Sequence, residues 1–265
     1  MSDPRPIGVF DSGVGGLTVL GEVHRQLPDE STVYLGDTAR CPYGPRPLRQ
    51  VKQFAFEIMR FLLRRNVKLV VVACNTATAA ALKDVRKGFP VPVVGVIRPG
   101  AEAGILASRN RRIGVIATTG TVRSRSYFET IKDVNPAAEV WEQACPELVD
   151  LVEAGRAGAP ESHDTLRRYL APLLRHDIDT LILGCTHYPL LRPAVEEIVG
   201  SEVTVVDSAA TTASATRLIV EVNRLENGAA PAVHELYCTS PSEQFREVAE
   251  RMFKAELPEV RHIDL

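Results

Sequence analysis

No run of apolar residues approaches the ~20 needed to cross a bilayer, and the opening MSDPRPIGVF carries no charged-then-apolar leader. The chain is therefore expected to be cytoplasmic, with no membrane partner. Charge of either sign is scarcely in excess: 31 Lys+Arg against 33 Asp+Glu leave a net −2, so there is no global electrostatic case for nucleic acid. The local basic clusters, Arg64, Arg65 and Lys68, or Arg109, Arg111 and Arg112, lack interleaved aromatics and read as solvated helix ends and turns. Cysteine is sparse, five in all, odd in number and dispersed, which argues against a disulfide framework. No Cys-x-x-Cys pair or His/Cys spacing suggests zinc. A Walker-type G-K-[ST] is missing. The glycines at 13–16 would need a third partner where Thr18 stands, and Asp11 would repel a pyrophosphate. Lysines such as Lys52, Lys68 and Lys83 fall in or beside helical segments rather than at strand ends, so no pyridoxal-phosphate lysine is evident. The expectation is a chain that uses neither cofactor nor metal.

Short β-branched runs alternating with amphipathic stretches fill the sequence. The runs predict strands at 7–11, 32–36, 69–74, 91–96, 113–117, 138–142, 180–185, 203–207 and 234–239. Continuous apolar runs such as LVVVA suit strands covered on both faces, as in parallel sheets. Between them, 48–65 spaces Val51, Phe54, Ala55, Ile58 and Leu62 for one helical face. Strand–helix alternation of this kind builds βαβ crossovers. The first eight strands also fall into two sets of four. IGVF at Ile7 matches IGVI at Ile113, the strand leading to Cys74 matches that leading to Cys185, and VPVVGV at Val91 matches VTVVDS at Val203, all at an offset of about 110 residues. The fold expected is α/β: two similar domains related by internal duplication, each a mainly parallel sheet flanked by helices. The boundaries implied are 1–97 with 208–265 for the first domain and 98–207 for the second. IRPG at 97–100 interrupts the pattern at the first crossing. The tail reads as a helix, a Gly/Pro loop and a last strand–helix unit packed back on the first domain.

Ligands of open α/β sheets bind beyond the carboxyl ends of the strands, and the polar residues collect there: Asp11-Ser12 after strand 1, Cys74-Asn75-Thr76 after strand 3, Cys185-Thr186-His187 after strand 7. Facing domains would set Cys74 and Cys185 on opposite walls of one cleft. Helix-type N–H groups beyond each thiol would lower its pKa and hold a carboxylate. A thiol that can take either protonation state near neutrality is a general acid–base. One cysteine at a strand end is usually a small buried hydrophobe; two at equivalent places in a duplication are a stronger signal. Cys41, Cys145 and Cys238 lack the flanks or the symmetry and read as packing residues. Asp11 could equally be a helix N-cap, and His187 could equally satisfy a turn.

FDSGVGGLTV (10–19), GDTARCPYG (36–44), ACNTATA (73–79), GCTHYPLL (184–191) and VDSA (206–209) together resemble the glutamate racemases of the aspartate/glutamate racemase superfamily, over essentially the whole chain. The resemblance implies a cofactor-independent interconversion of L- and D-glutamate that supplies D-glutamate for bacterial peptidoglycan. It implies that Cys74 acts on D-glutamate and Cys185 on L-glutamate, with Asp11 and His187 assisting their respective thiols. Asp11, Ser12, Tyr43, Gly44, Asn75, Thr76, Thr186 and His187 would contact the substrate, Thr118 is a further candidate, and Glu153 in LVEAG resembles a family acid on the Cys185 side. A homodimer is compatible with this reading. With no long extension before the first strand, activation by a cell-wall precursor is not expected. The alternatives are another racemase or isomerase of the superfamily, a flavodoxin-like or periplasmic-type binding domain, and a thiol hydrolase; the last predicts no symmetric second cysteine.

Overall fold

Parallel strands cannot be joined by tight turns, so each apolar run here is followed by a helix that carries the chain back over the sheet. The computed structural model describes residues 2–228, 231–253 and 257–265. The first sheet begins with β1 (Ile7–Asp11), α1 (Leu17–Gln26), β2 (Thr32–Gly36), α2 (Leu48–Arg64), β3 (Leu69–Val72), α3 (Asn75–Gly88) and β4 (Val93–Gly95). After α4 (Ile97–Ala107) come β5 (Arg112–Ala117), α5 (Thr119–Ser124), α6 (Ser126–Val134) and β6 (Glu139–Ala144). Next are α7 (Glu147–Glu153), α8 (Pro160–Leu174), β7 (Thr180–Gly184), α9 (Arg192–Val199) and β8 (Thr204–Asp207). The chain closes with α10 (Ala209–Val222), β9 (His234–Cys238), α11 (Ser242–Phe253) and β10 (Val260–His262).

The sheets carry the duplication openly. The first runs β10-β9-β2-β1-β3-β4 and the second β6-β5-β7-β8, so the order 2-1-3-4 occurs twice. Every ladder is parallel. In this order the chain leaves the first strand toward one side and later resumes on the other, and the crevice forms where the direction reverses. That point lies between β1 and β3 in one sheet and between β5 and β7 in the other. Those four strands are buried along almost their whole length, and α2 covers the first sheet with Val51, Ala55, Ile58, Met59 and Leu62, all fully buried. Each such aliphatic side chain contributes about 1.5–3 kcal/mol by leaving water.

The structure departs from the sequence expectations at four places. The strands leading to the two cysteines stop at Val72 and Gly184, because the ladders end there and the thiols are released into the following turns. IRPG is not an interruption but the first turn of α4; Pro is tolerated there since first-turn N–H groups have no helical partner. The tail contributes a second parallel strand, β10, not anticipated; β9 pairs with β2, and α10 packs on α1. Lys68 is not solvated. Its ammonium is fully buried, paired with Glu30 and donating to Asp3 O at 2.7 Å, while Glu30 also accepts from Asn227 N. A buried lysine survives only with such partners. Because α4 packs on β7 and β8 whereas α10 packs mainly on α1, we propose domain limits at 1–97 with 208–265 and at 98–207.

Candidate active site

The end of β3 places Cys74 as the N-cap of α3. Its Sγ accepts from Ala77 N at 3.4 Å and lies 3.7 Å from Ser12 Oγ. Those contacts favour a thiolate, as expected of a helix N-terminus. They do not prevail. Burial, then the negative charge of Asp11, push the Cys74 thiol up to about 12, against the smaller effects of Ala77 N and Ser12. The anticipated lowering is thus corrected: the dipole of α3 is real, but full enclosure and a carboxylate neighbour outweigh it. Asp11 is completely buried behind Ser12, not on the cleft wall, and its Oδ2 accepts from Gly13 N at 3.0 Å while Oδ1 has no partner. Burial raises its carboxyl pKa, opposed by His187 and by the N–H groups of Gly13, Gly16 and Ser12.

Cys185 is supported differently. Tyr188–Leu191 after it is a short 3-10 turn, and α9 does not begin until Arg192. The imidazole of His187 takes the place that a helix N-terminus has beside Cys74: its Nδ1 is 3.8 Å from Cys185 Sγ and its Nε2 3.0 Å from Glu153 Oε1. Burial lowers the His187 pKa, yet Cys185 and Glu153 together more than reverse this and raise it to about 10. Between a thiol and a carboxylate, the ring can carry a proton in either direction.

Ser12, Tyr43, Gly44, Cys74, Asn75, Thr76, Thr118, Cys185, Thr186 and His187 line one cleft together with Cys41, Pro42 and Val149. The polar wall crosses between the sheets: Thr76 Oγ1 lies 2.9 Å from Thr118 Oγ1 and 3.3 Å from Thr121 Oγ1. Asn75 is buried with its Nδ2 unpartnered. Tyr43 spends its hydroxyl on Asp37, so Tyr43 and Gly44 can offer the cleft main chain rather than a phenol. The free space is only about 20 Å³, room for about one water, and a wider vestibule of about 260 Å³ adjoins it beside Pro45, Thr119, Pro146 and Asp150. Among the described residues no group of three or more His, Cys, Asp or Glu is placed to hold a metal, and no helix is long and apolar enough to cross a membrane.

Two buried thiols thus face one cleft, each just beyond the end of an equivalent strand and each with its own ionisable neighbour. The sequence pattern of the Asp/Glu/hydantoin racemase family matches residues 7–216. The chain belongs to the Asp/Glu/hydantoin racemase family, among its glutamate racemases. It is 47% identical to the glutamate racemase of Enterococcus faecalis over 251 residues, 94% of this chain and 92% of that one. Its fold is similar to the crystal structure of a glutamate racemase isoform from Bacillus anthracis, with a TM-score of 0.95 at 41% identity, 98% of each chain covered. The glutamate racemase of Francisella tularensis, crystallised with D-glutamate, gives a TM-score of 0.92 at 33% identity, covering 99% of this chain and 98% of that one. The chain is accordingly an enzyme, an isomerase of the racemase class.

In this racemase three cleft features escaped the sequence reading. Cys41, set aside as a packing residue, lines the cleft with its Sγ 3.9 Å from Glu153 Oε1. Thr121 joins the hydroxyl cluster, and Tyr127 reaches Asn75 from α6. Thr121 and Tyr127 have no local signal, since contact between the two sheets brings them in, whereas Cys41 shares the GDTARCPYG loop with Tyr43 and Gly44. Cys145 and Cys238 are buried outside it. Gly15 is explained by the same closeness: a Cβ there would lie 2.5 Å from Thr186 Oγ1 and 2.6 Å from His187 Nδ1. Both neighbours are buried and cannot swing outward. Gly15→Ala should therefore displace the His187 ring and lower kcat/KM by about 10²-fold, measured by steady-state kinetics on folded protein. Unchanged kinetics would show that the ring has space to yield.

Proposed function

We propose that the enzyme interconverts L- and D-glutamate by a two-base proton transfer without a cofactor. Cys74 acts on the α-carbon of the D enantiomer and Cys185 on that of the L enantiomer. The observation that carries this reading is the pair of thiols just beyond β3 and β7, at matching places in the duplicated sheets and lining the same cleft. Inversion needs a proton removed from one face and another delivered to the opposite face, which two fixed groups achieve without crossing the substrate plane. Asp11 accepts the proton of Cys74, and His187, oriented by Glu153, that of Cys185. As the α-carbon loses its proton, charge develops on the α-carboxylate, where the hydroxyls of Ser12, Thr76, Thr118 and Thr186 can stabilise it, while the buried Asn75 Nδ2 holds the carboxylate in ground and transition state alike. That the relative from Francisella tularensis was crystallised with D-glutamate supports the choice of substrate. D-glutamate is a building block of bacterial peptidoglycan, so its supply to cell-wall synthesis in the cytoplasm is the role we assign. A homodimer is compatible with a cleft complete within one chain.

Proton NMR of L-glutamate in heavy water with the purified protein tests the reaction. The α-proton signal should vanish as optical activity is lost, with deuterium in the D product. Activity that dies on dialysis against chelator, or follows a bound chromophore, would overturn the cofactor-independent mechanism. A panel including aspartate decides between substrates, and faster inversion of another amino acid would displace glutamate.

A further inference from the structure

Tyr127 is fully buried on α6, against the second sheet, yet its hydroxyl donates to Asn75 Oδ1 at 2.8 Å, at the first turn of α3 on the first sheet. The same hydroxyl lies where the chain passes between the sheets. A Cβ added to Gly100, in the first turn of α4, would be 3.1 Å from it and 3.0 Å from Ser208 Cβ, the residue just before α10. Gly100 thus leaves the space into which the phenol reaches. Burial pushes the Tyr127 phenol up, so it stays neutral with one proton to donate, while Ser208 acts on it as a hydrogen-bonding partner that favours the phenolate. The geometry gives one direction: Tyr127 donates to Asn75.

With its oxygen accepting from Tyr127, the Asn75 amide keeps its Nδ2 for another acceptor. Asn75 must present its Nδ2, buried and without a partner, as the group left for an acceptor in the cleft. We propose that Tyr127 is a positioning residue that fixes the Asn75 amide as a donor to the substrate carboxylate and ties this orientation to the packing of the two chain crossings at Gly100 and Ser208. The inference rests on the reading of the cleft as a glutamate site and adds the element that makes its carboxylate pocket depend on how the two halves are docked. Tyr127 touches neither thiol and takes no part in proton transfer.

Tyr127→Phe keeps the ring that fills the pocket and removes only the hydroxyl. The measurement is KM and kcat for both glutamate enantiomers in wild type, Tyr127→Phe, Asn75→Ala and the double variant, with melting temperatures as the folding control. Tyr127→Phe should raise KM about tenfold for both enantiomers, the size of one lost orienting hydrogen bond, with kcat changed about threefold or less. In the Asn75→Ala background the same substitution should change KM by less than about twofold, because no amide remains to be oriented. An unchanged KM in Tyr127→Phe overturns the proposal. So does an equal rise in both backgrounds, since that is what general loosening of the core would produce. Inversion of glutamate by the wild type is read in the same experiment, so failure of the substrate assignment is distinguishable from failure of the role of Tyr127.

Discussion

Cys74→Ser and Cys185→Ser are each expected to lower racemisation of glutamate in both directions by about 10³-fold or more, the scale of losing an essential acid–base group. A serine hydroxyl is too weak an acid to supply a base at neutral pH. Loss of inversion alone would not separate chemistry from misfolding, but exchange of the α-proton does. Cys185→Ser retains Cys74 and Asp11, so it should wash solvent deuterium into D-glutamate without inverting it. Cys74→Ser retains Cys185, His187 and Glu153 and should do the same to L-glutamate. Mass spectrometry of re-isolated substrate reads both. Exchange of the same enantiomer by both variants would reject the assignment of faces. Mixing the two variants under subunit-exchanging conditions should restore nothing, because the two thiols line one cleft of a single chain. Recovery toward a quarter of wild-type activity, with hybrid dimers shown to form, would mean that the working cleft is shared between chains.

The two thiols differ in what assists them, and the second large effect follows from that. Asp11→Asn and His187→Asn should each reduce turnover by about 10²-fold, but at different steps. Asp11 is a carboxylate whose pKa burial raises, beside a thiol pushed up to about 12; the raised carboxyl is a better acceptor for that proton than an exposed aspartate would be. His187, raised to about 10 by Cys185 and Glu153 against burial, serves the other thiol. Equilibrium requires kcat/KM for the two directions to fall together in any variant, so the difference must be sought in kcat, KM and isotope effects. With Asp11→Asn the primary deuterium effect should grow for D-glutamate labelled at the α-carbon, since abstraction by Cys74 becomes the slow step. With His187→Asn it should grow for labelled L-glutamate. Identical isotope patterns in the two variants would remove the division of labour. Asp11 and His187 also feel each other's charge, so the double variant should be less impaired than the product of the single effects.

What the sequence determined by itself was local. The alternation of β-branched runs with amphipathic stretches specified a parallel α/β protein, because strands buried on both faces and helices buried on one have different periods. The repeated pattern specified two such sheets, and the strand ends named most of the cleft residues, since ligands of open α/β sheets bind beyond the carboxyl ends of the strands. The sequence could not say how the halves meet. Where α3 faces α5 and α6 was decided by docking, which brought Thr121 into the hydroxyl cluster and Tyr127 to Asn75. The protonation chemistry was likewise a tertiary matter. A strand-end cysteine at a helix N-terminus reads as an acidified thiol, but the degree of enclosure and the charge placed beside it come from other segments. For Cys74 those two effects exceed the helix dipole and reverse the direction. Lys68 shows the same limit. By composition it belongs on the surface, and only the meeting of Asp3, Glu30 and the backbone near Asn227 at the base of the first sheet makes its burial tolerable. Periodicity records which face of an element is covered; it holds no record of which side chain from a distant segment does the covering.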